Sequence, residues 1–172
     1  MKMWIVPALV LAAFALNAQA PQQNTLRFSS PDFREGENIP ARFTCDGLDG
    51  NPALRISGVP PGTKSLALIM DDPDAPSGTF THWLFWGLSP QFRKIPERSM
   101  LDYAVQGTNG FGNKRYNGPC PPSGVHRYYL RLYALDIRPG LPSGASRKAL
   151  EEAMAGHVIA EAALMGRYAR HH

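Results

Sequence analysis

Glycine and proline together set the strongest limit on how this chain can fold. The sequence of 172 residues contains 16 of each. Proline cannot donate a backbone hydrogen bond and glycine weakens helix interiors, so this density favours many turns and short strands over a helical bundle. The length suits one domain with a sizeable core, and the charged share of 19% is that of a globular protein.

Four apolar runs, at residues 26–33, 64–70, 82–88 and 126–136, are predicted to form strands. The run at 64–70 is apolar enough for a buried central strand, and the run at 126–136 is the longest. Nothing between the runs reads as alternating strand and helix units. A mainly β fold, built as an antiparallel sheet or sandwich, is therefore predicted.

The C-terminal segment is predicted to be helical. Ser146 can cap a helix that begins at the next residue, and Leu150, Met154 and Val158 recur at four-residue spacing. Gly156 interrupts this apolar stripe. We therefore expect two short helices, or one broken helix, packed against the sheet.

The first 20 residues are predicted to be a signal peptide. Lys2 precedes an almost unbroken apolar run at residues 3–16, and Ala18-Gln19-Ala20 is a small-x-small cleavage pattern. Pro21 is unfavourable just after a cleavage site, so an uncleaved membrane anchor stays open. A periplasmic or secreted protein is predicted, with its folded domain at residues 26–170.

Two cysteines, Cys45 and Cys120, would meet an oxidising compartment after export. They can form a disulfide or remain as two buried free thiols, and the sequence leaves both alternatives open.

The net charge of +4 comes from scattered basic residues. Nucleic-acid binding needs a concentrated basic face, so it is not predicted. The glycine-rich stretch at 107–112 matches neither a phosphate-binding loop nor a dinucleotide fingerprint. No cofactor is predicted.

Three stretches carry residues suited to ligand binding. In the first, Met70-Asp71-Asp72-Pro73-Asp74-Ala75-Pro76, prolines stiffen a loop that holds Asp72 and Asp74 at a strand end. A plain proline-rich turn with solvated or capping aspartates is the simpler alternative.

The other two stretches carry histidines. His82 begins an apolar strand and by strict alternation shares a face with Leu84 and Trp86. His126 and Tyr128 begin the apolar face of the longest strand, where donors could line a pocket mouth. Alternatively, the histidines only satisfy hydrogen bonds inside the core of a β domain.

Together these stretches resemble the phosphatidylethanolamine-binding protein family, also called Raf-kinase-inhibitor-like, and most of all its bacterial and archaeal branch. The resemblance rests on the Asp-Pro-Asp-Ala-Pro loop, the His-Trp strand, Gly118-Pro119-Cys120-Pro121-Pro122-Ser123-Gly124-Val125-His126-Arg127-Tyr128, and the tail at 153–161. It covers about residues 26–168. It implies an antiparallel sandwich with flanking helices and a small anion pocket.

The family's pocket would map onto eight positions of this sequence: Asp72, Asp74, Pro76, His82, Gly118, Pro122, His126 and Tyr128. This chain departs from related chains at Gly110, where a polar residue is frequent, and at Arg115, where a glycine is common. Both lie in the loop beside the implied pocket, so they bear on ligand selectivity.

The expected ligand is a small anion such as phosphate or a phosphoethanolamine-like head group. Histidine N–H groups, the Tyr128 hydroxyl and loop N–H groups would donate to its oxygens, while Asp72 accepts a proton from a histidine or the ligand. Binding is expected to strengthen as pH falls through the histidine range. A membrane is expected as partner only through such a head group or an uncleaved signal.

Three rival functions stay open. A hydrolase could use Cys120 with His126, or the nearby Ser123, although no catalytic residue or Gly-x-Ser-x-Gly elbow is predicted. Two histidines and two aspartates could bind a divalent metal, although no ligand-pair spacing supports it. An extracytoplasmic protein-interaction module, akin to a protease or kinase inhibitor, would need a protein partner and no small ligand.

Overall fold

The structure is a computed structural model that describes residues 25–170. It contains eight strands, one α-helix and a short 3₁₀ turn at Ala41–Phe43. In chain order the elements are β1 (Arg27–Ser29), β2 (Leu54–Ser57), β3 (Ser65–Asp72), β4 (Phe80–Leu88), β5 (Lys94–Ile95), β6 (Val105–Gln106), β7 (His126–Leu135), α1 (Arg147–Met154) and β8 (Val158–Tyr168).

The strands form two antiparallel sheets that pack face to face. The smaller sheet has the order β1-β2-β5, and the larger has the order β6-β4-β3-β7-β8. Inward side chains of the smaller sheet, such as Phe28 and Ile56, share one apolar cluster with Leu68, Phe85 and Leu132 of the larger sheet. This arrangement confirms the predicted mainly antiparallel sandwich.

The helix α1 covers the opposite face of the larger sheet. Leu150 and Met154 of the helix pack with Ile69, Leu84 and Trp86 of the sheet. Because β3 is covered on both faces, all eight of its residues are buried, which explains its continuous apolar sequence. The Ser146 hydroxyl accepts from the N–H of Ala149, as expected for a helix cap.

The helical prediction for the C-terminal segment is correct up to Met154 and wrong beyond it. Gly156 adopts a φ of 78°, a left-handed conformation that ends a helix. Val158 then begins β8, which pairs with β7 along almost its whole length. The alanines and leucines of this segment favour helices, but pairing with the long strand β7 overrides that preference.

The predicted strand bounds need smaller corrections. The first strand is shorter than the predicted run at 26–33, whereas β4 begins two residues earlier than predicted. Strand β2, of four residues, and the two-residue strands β5 and β6 were not predicted, because segments so short carry little periodic signal.

Cys45 and Cys120 form a disulfide, with their Cα atoms 5.4 Å apart. Of the two alternatives left by the sequence, the bridged one is therefore present. The predicted signal peptide lies outside the described residues. Within residues 25–170, no helix combines the length and apolarity needed to span a bilayer.

Candidate functional site

A buried carboxylate–imidazole pair forms the centre of the candidate site. Asp72 is the last residue of β3 and His126 is the first residue of β7, and these strands are antiparallel neighbours. This places Nδ1 of His126 2.7 Å from Oδ2 of Asp72, with both side chains at least nine-tenths buried. A carboxylate so placed accepts from Nδ1–H and fixes the orientation of the ring.

A β-bulge brings His82 to the same cluster. Asp71 pairs with Thr81 and Met70 pairs with Trp83, which leaves His82 as an extra residue in β4. Strict alternation would have placed His82 with Leu84 and Trp86, which pack on the α1 side of the sheet. Because of the bulge that expectation is wrong, and the His82 ring instead lies 5.2 Å from the Tyr128 ring.

Backbone carbonyls hold the His82 ring. Nδ1 lies 2.9 Å from the carbonyl oxygen of Asn117 and 3.1 Å from that of Gly118. Since a carbonyl only accepts, Nδ1 must carry the proton, and in the neutral ring Nε2 is then an acceptor. Burial lowers the pKa of His82 below its ordinary value, against the opposing effects of these hydrogen bonds and of the Asp72 charge.

A network of polar side chains fixes the loop that supplies those carbonyls. Asp49 accepts from the N–H of Gly118 at 2.6 Å and from the side-chain amide of Asn117 at 2.9 Å. Asn109 donates to the backbone carbonyl of His82 at 3.1 Å. The sequence does not identify Asp49 and Asn109 as site residues, because their hydrogen-bond partners are distant in the chain and no local motif includes them.

Tyr128 supplies a buried hydroxyl that has no hydrogen-bond partner among the described residues. Its ring stacks against that of His126 with centroids 6.5 Å apart. Burial raises the pKa of Tyr128 well above its usual range; the charge of Asp72 acts in the same direction and the backbone of Cys120 opposes it. Neither Asp72 nor Cys120 meets hydrogen-bond geometry with the hydroxyl. Tyr128 therefore stays a phenol, with one donor and one acceptor unused.

Two phenylalanines cover His82 from outside. The ring centroids of Phe80 and Phe111 lie 5.3 and 5.5 Å from that of His82 and 4.8 Å from each other. Gly110 makes this packing possible, because a Cβ at that position would lie 2.5 Å from the Phe80 ring. The departure at Gly110 is thus explained by the space that Phe80 occupies.

The second departure, Arg115, does not reach the cluster. Its side chain is exposed, and its guanidinium lies 3.7 Å from Asp49. It therefore lies on the outer side of the network that holds the Gly118 loop.

The charge of Asp74 is satisfied by a neighbour. Arg127 donates to Asp74 from its backbone N–H, from Nε at 2.9 Å and from a terminal nitrogen at 2.6 Å. These hydrogen bonds lower the pKa of Asp74 to about 2. Asp74 lies beside the cluster and accepts hydrogen bonds from Arg127.

An open cavity of about 630 Å³ adjoins His126. Arg167 lines it and lies directly opposite Arg127 in the pairing of β7 with β8. The sequence reasoning missed Arg167 because it placed the start of this segment in a helix. The complete lining is Asp74, Ser123, Gly124, Val125, His126, Arg127 and Arg167.

The remaining predicted positions are more peripheral. Pro76 and Pro122 are exposed on loops. Gly118 takes part through its carbonyl, and a side chain there would collide with the backbone of Phe43. Of the eight positions, the structure thus joins Asp72, His82, His126 and Tyr128 directly, and Gly118 through its backbone.

Two rival chemistries can be compared with this geometry. Cys120 is bridged to Cys45, so in this structure it is not the thiol nucleophile that one form of the hydrolase alternative requires. In the part of the chain that the structure describes, no group of three or more His, Cys, Asp or Glu side chains is arranged to hold a metal ion.

Comparisons with known proteins agree on the family. The family model described as phosphatidylethanolamine-binding protein matches residues 29–169. The UPF0098 protein PH1269 of Pyrococcus horikoshii is 45% identical over 174 residues, which cover 96% of this chain and 87% of that protein. A UPF0098 protein of Methanothermobacter thermautotrophicus is 50% identical over 143 residues, covering 80% and 95% respectively.

Solved structures show the same fold. CT736 of Chlamydia trachomatis, a candidate phosphatidylethanolamine-binding protein homolog, superposes with a TM-score of 0.83 at 40% identity, covering 86% of this chain and 99% of that one. YbcL of E. coli, described as a new member of the mammalian PEBP family, gives 0.79 at 28% identity, covering 85% and 99%. The chain therefore belongs to the phosphatidylethanolamine-binding protein family.

Proposed function

We propose that this protein binds a small phosphate-bearing anion at the cluster of Asp72, His82, His126 and Tyr128, outside the cytoplasm. The observation that carries the proposal is the Tyr128 hydroxyl, which is fully buried beside two imidazoles and has no hydrogen-bond partner within the described residues. An unpaired buried hydroxyl destabilises a fold by about 1–3 kcal/mol. A ligand oxygen would remove that penalty.

The tautomers of His82 and His126 favour a ligand that carries a proton of its own or whose binding is accompanied by protonation of an imidazole. Nδ1 of His82 faces carbonyls and Nδ1 of His126 faces a carboxylate. Within residues 25–170 neither Nε2 atom forms a hydrogen bond, and each is an acceptor while its ring is neutral. A phosphate oxygen needs donors there, so either an imidazole becomes protonated or the ligand supplies a hydroxyl.

The surrounding charges suit an anion despite the carboxylates. Asp72 is paired with His126 and Asp74 with Arg127. Among the described residues, the Arg167 side chain has no ion pair, and it lines the cavity next to His126. This leaves a net positive character at the cavity, which supports binding of a phosphate group.

The comparisons support the same class of ligand. The matching family is named for binding phosphatidylethanolamine, whose head group carries a phosphate and an amine. An ammonium group would also match the acceptor Nε2 atoms of the neutral histidines. The disulfide supports a location in an oxidising compartment.

The test is a titration of histidine ring signals by NMR with inorganic phosphate, phosphoethanolamine and sulfate, at pH about 6 and about 8. We expect saturable shifts of His82 and His126 and tighter binding at the lower pH. The sign follows from protonation: an anion stabilises the imidazolium, so binding raises the low pKa of His82 and takes up a proton. Sulfate carries no proton in this range and reports imidazole protonation alone.

His82→Asn and His126→Asn keep a donor near the position of Nδ1 and remove Nε2, so each should abolish the shifts. The control is His157→Asn, because His157 makes a similar 2.8 Å contact with Asp136 but is exposed. Equal affinity at both pH values, or normal binding by the two cluster variants, would contradict the proposal and leave the protein-interaction module as the leading alternative.

A further inference from the structure

The outer face of the smaller sheet is basic. Alternation turns the apolar side chains of β1, β2 and β5 inward, and the outward positions are exposed. Arg55 on β2 lies directly opposite Lys94 on β5. With the adjacent Arg93 and with Arg27 on β1, these residues form what we call the basic face: Arg27, Arg55, Arg93 and Lys94.

The cations of the basic face have no acidic partners among the residues that the structure describes. Within residues 25–170, none of the four lies within 4.0 Å of a carboxylate, and Arg93 donates only to the backbone carbonyls of Pro90 and Phe92. Elsewhere among the described residues, Arg42 and Arg127 are paired with carboxylates, whereas Arg98 and Arg167 are not. Like charges directly opposite each other destabilise a sheet, so the fold itself gains nothing from Arg55 facing Lys94. The counter-charge is therefore expected from outside the molecule.

Apolar groups lie among these cations. A groove of about 820 Å³ on this face is lined by Ile56, Phe92 and Tyr103 together with three of the cations, and no carboxylate lines it. The rings of Phe92 and Tyr103 stack with centroids 4.5 Å apart. Met100, in the same loop as Tyr103, is 78% exposed. Cations surrounding exposed apolar and aromatic side chains are the pattern that suits the interface of an anionic bilayer.

The sequence predicts a membrane-directed segment shortly before this face. The apolar segment at residues 3–16, which the sequence predicts to be a signal peptide or an uncleaved anchor, precedes β1 closely. Even fully extended, the chain between Ala20 and Arg27 spans only about 25 Å. Strand β1, which carries Arg27 of the basic face, is thus the first described strand after the predicted signal or anchor segment.

We propose that the basic face docks on the surface of an anionic phospholipid bilayer, with Phe92 and Tyr103 at the level of the head groups. The four cations contact lipid phosphates without reading any one head group. This surface is on the smaller sheet, whereas the histidine cluster is on the larger one, so the inference does not depend on the proposed function.

The test is cosedimentation with vesicles of phosphatidylcholine, with and without about one quarter phosphatidylglycerol, at about 0.1 M and about 0.5 M NaCl. Both the full chain and the chain from Pro21, which retains every described residue, are used to separate the contribution of the apolar segment. For the chain from Pro21 we expect binding to be roughly 10-fold tighter on anionic vesicles and to be lost at the higher salt concentration.

The double variant Arg55→Glu/Lys94→Glu should bind anionic vesicles at least roughly 10-fold more weakly. Lys114→Glu/Lys148→Glu makes the same change in net charge away from the basic face and should retain binding. His126→Asn should also retain it, which separates this surface from the histidine cluster. An equal loss in both double variants would overturn the proposal. The proposal would also be overturned if Arg55→Glu/Lys94→Glu lost binding to heparin and kept binding to vesicles. The partner of the basic face would then be a soluble polyanion.

Discussion

Adjacent aspartates at the end of β3 have different partners because successive side chains of a strand point to opposite faces. Asp72 faces the cluster and holds His126. Asp71 faces the other side, where it lies 2.9 Å from Arg147 of α1 and accepts from Thr81 at 3.1 Å. One carboxylate therefore belongs to the candidate site, and the other attaches the helix to the sheet.

The Tyr128 hydroxyl separates a binding role from a structural one. Tyr128→Phe should weaken phosphate binding about 10-fold, because a hydrogen bond to a charged group contributes about 1.5 kcal/mol or more. The unfolding free energy should rise by about 1–3 kcal/mol, because the substitution removes a buried oxygen that has no described partner. NMR titration and urea denaturation measure the two quantities.

Tyr116→Phe is the matched control for that substitution. Tyr116 is also buried, but its hydroxyl donates to the Phe43 carbonyl at 2.8 Å. Its loss should lower the unfolding free energy by about 1 kcal/mol and leave phosphate affinity unaltered. Unchanged phosphate affinity in Tyr128→Phe would argue against the Tyr128 assignment.

At the scale of elements, the helix α1 is attached to the larger sheet by a buried charge as well as by apolar contacts. Asp71→Ala should lower the unfolding free energy by about 2–3 kcal/mol, because it removes the acceptor of both Arg147 and the Thr81 hydroxyl. Burial raises the pKa of Asp71 and the nearby Arg147 lowers it. Arg147 therefore favours the ionised form of the Asp71 carboxyl. Urea denaturation measures the change.

The exposed pair of Lys148 and Glu152 provides the control on the same helix. Glu152→Ala should change the unfolding free energy by less than about 0.5 kcal/mol, because exposed pairs are screened by water. If Asp71→Ala is as mild as Glu152→Ala, the contacts of Asp71 do not hold the helix.

Whole strands were easier to predict than their pairing. The runs that become β3, β4 and β7 are long and apolar, so their existence follows from composition, and Asp72, His126 and Tyr128 lie where those strands begin or end. The bulge at His82 depends on the register between β3 and β4. Likewise β8, and with it Arg167, depends on pairing with β7, whereas local propensity favoured a helix.

The disulfide acts on the scale of the whole molecule. It joins positions 75 residues apart and fastens the segment after the 3₁₀ turn to the loop that supplies the carbonyls for His82. Cys45→Ser/Cys120→Ser should lower the unfolding free energy by about 2–4 kcal/mol, since a cross-link restricts the unfolded chain. Urea denaturation of the wild type with and without reductant provides the comparison. If the urea midpoint is the same with and without reductant, the disulfide does not stabilise the fold.

The Asp72–His126 pair lies at strand ends, while the cavity beside it is built largely from loop residues. Loops tolerate substitution and changes of length far better than paired strands do. The fold therefore separates an acid–base pair that the sheet carries from a rim of loop residues such as Ser123, Gly124 and Val125. Under the proposed function, substitutions in these loops would alter which ligand is recognised and leave the pair in place.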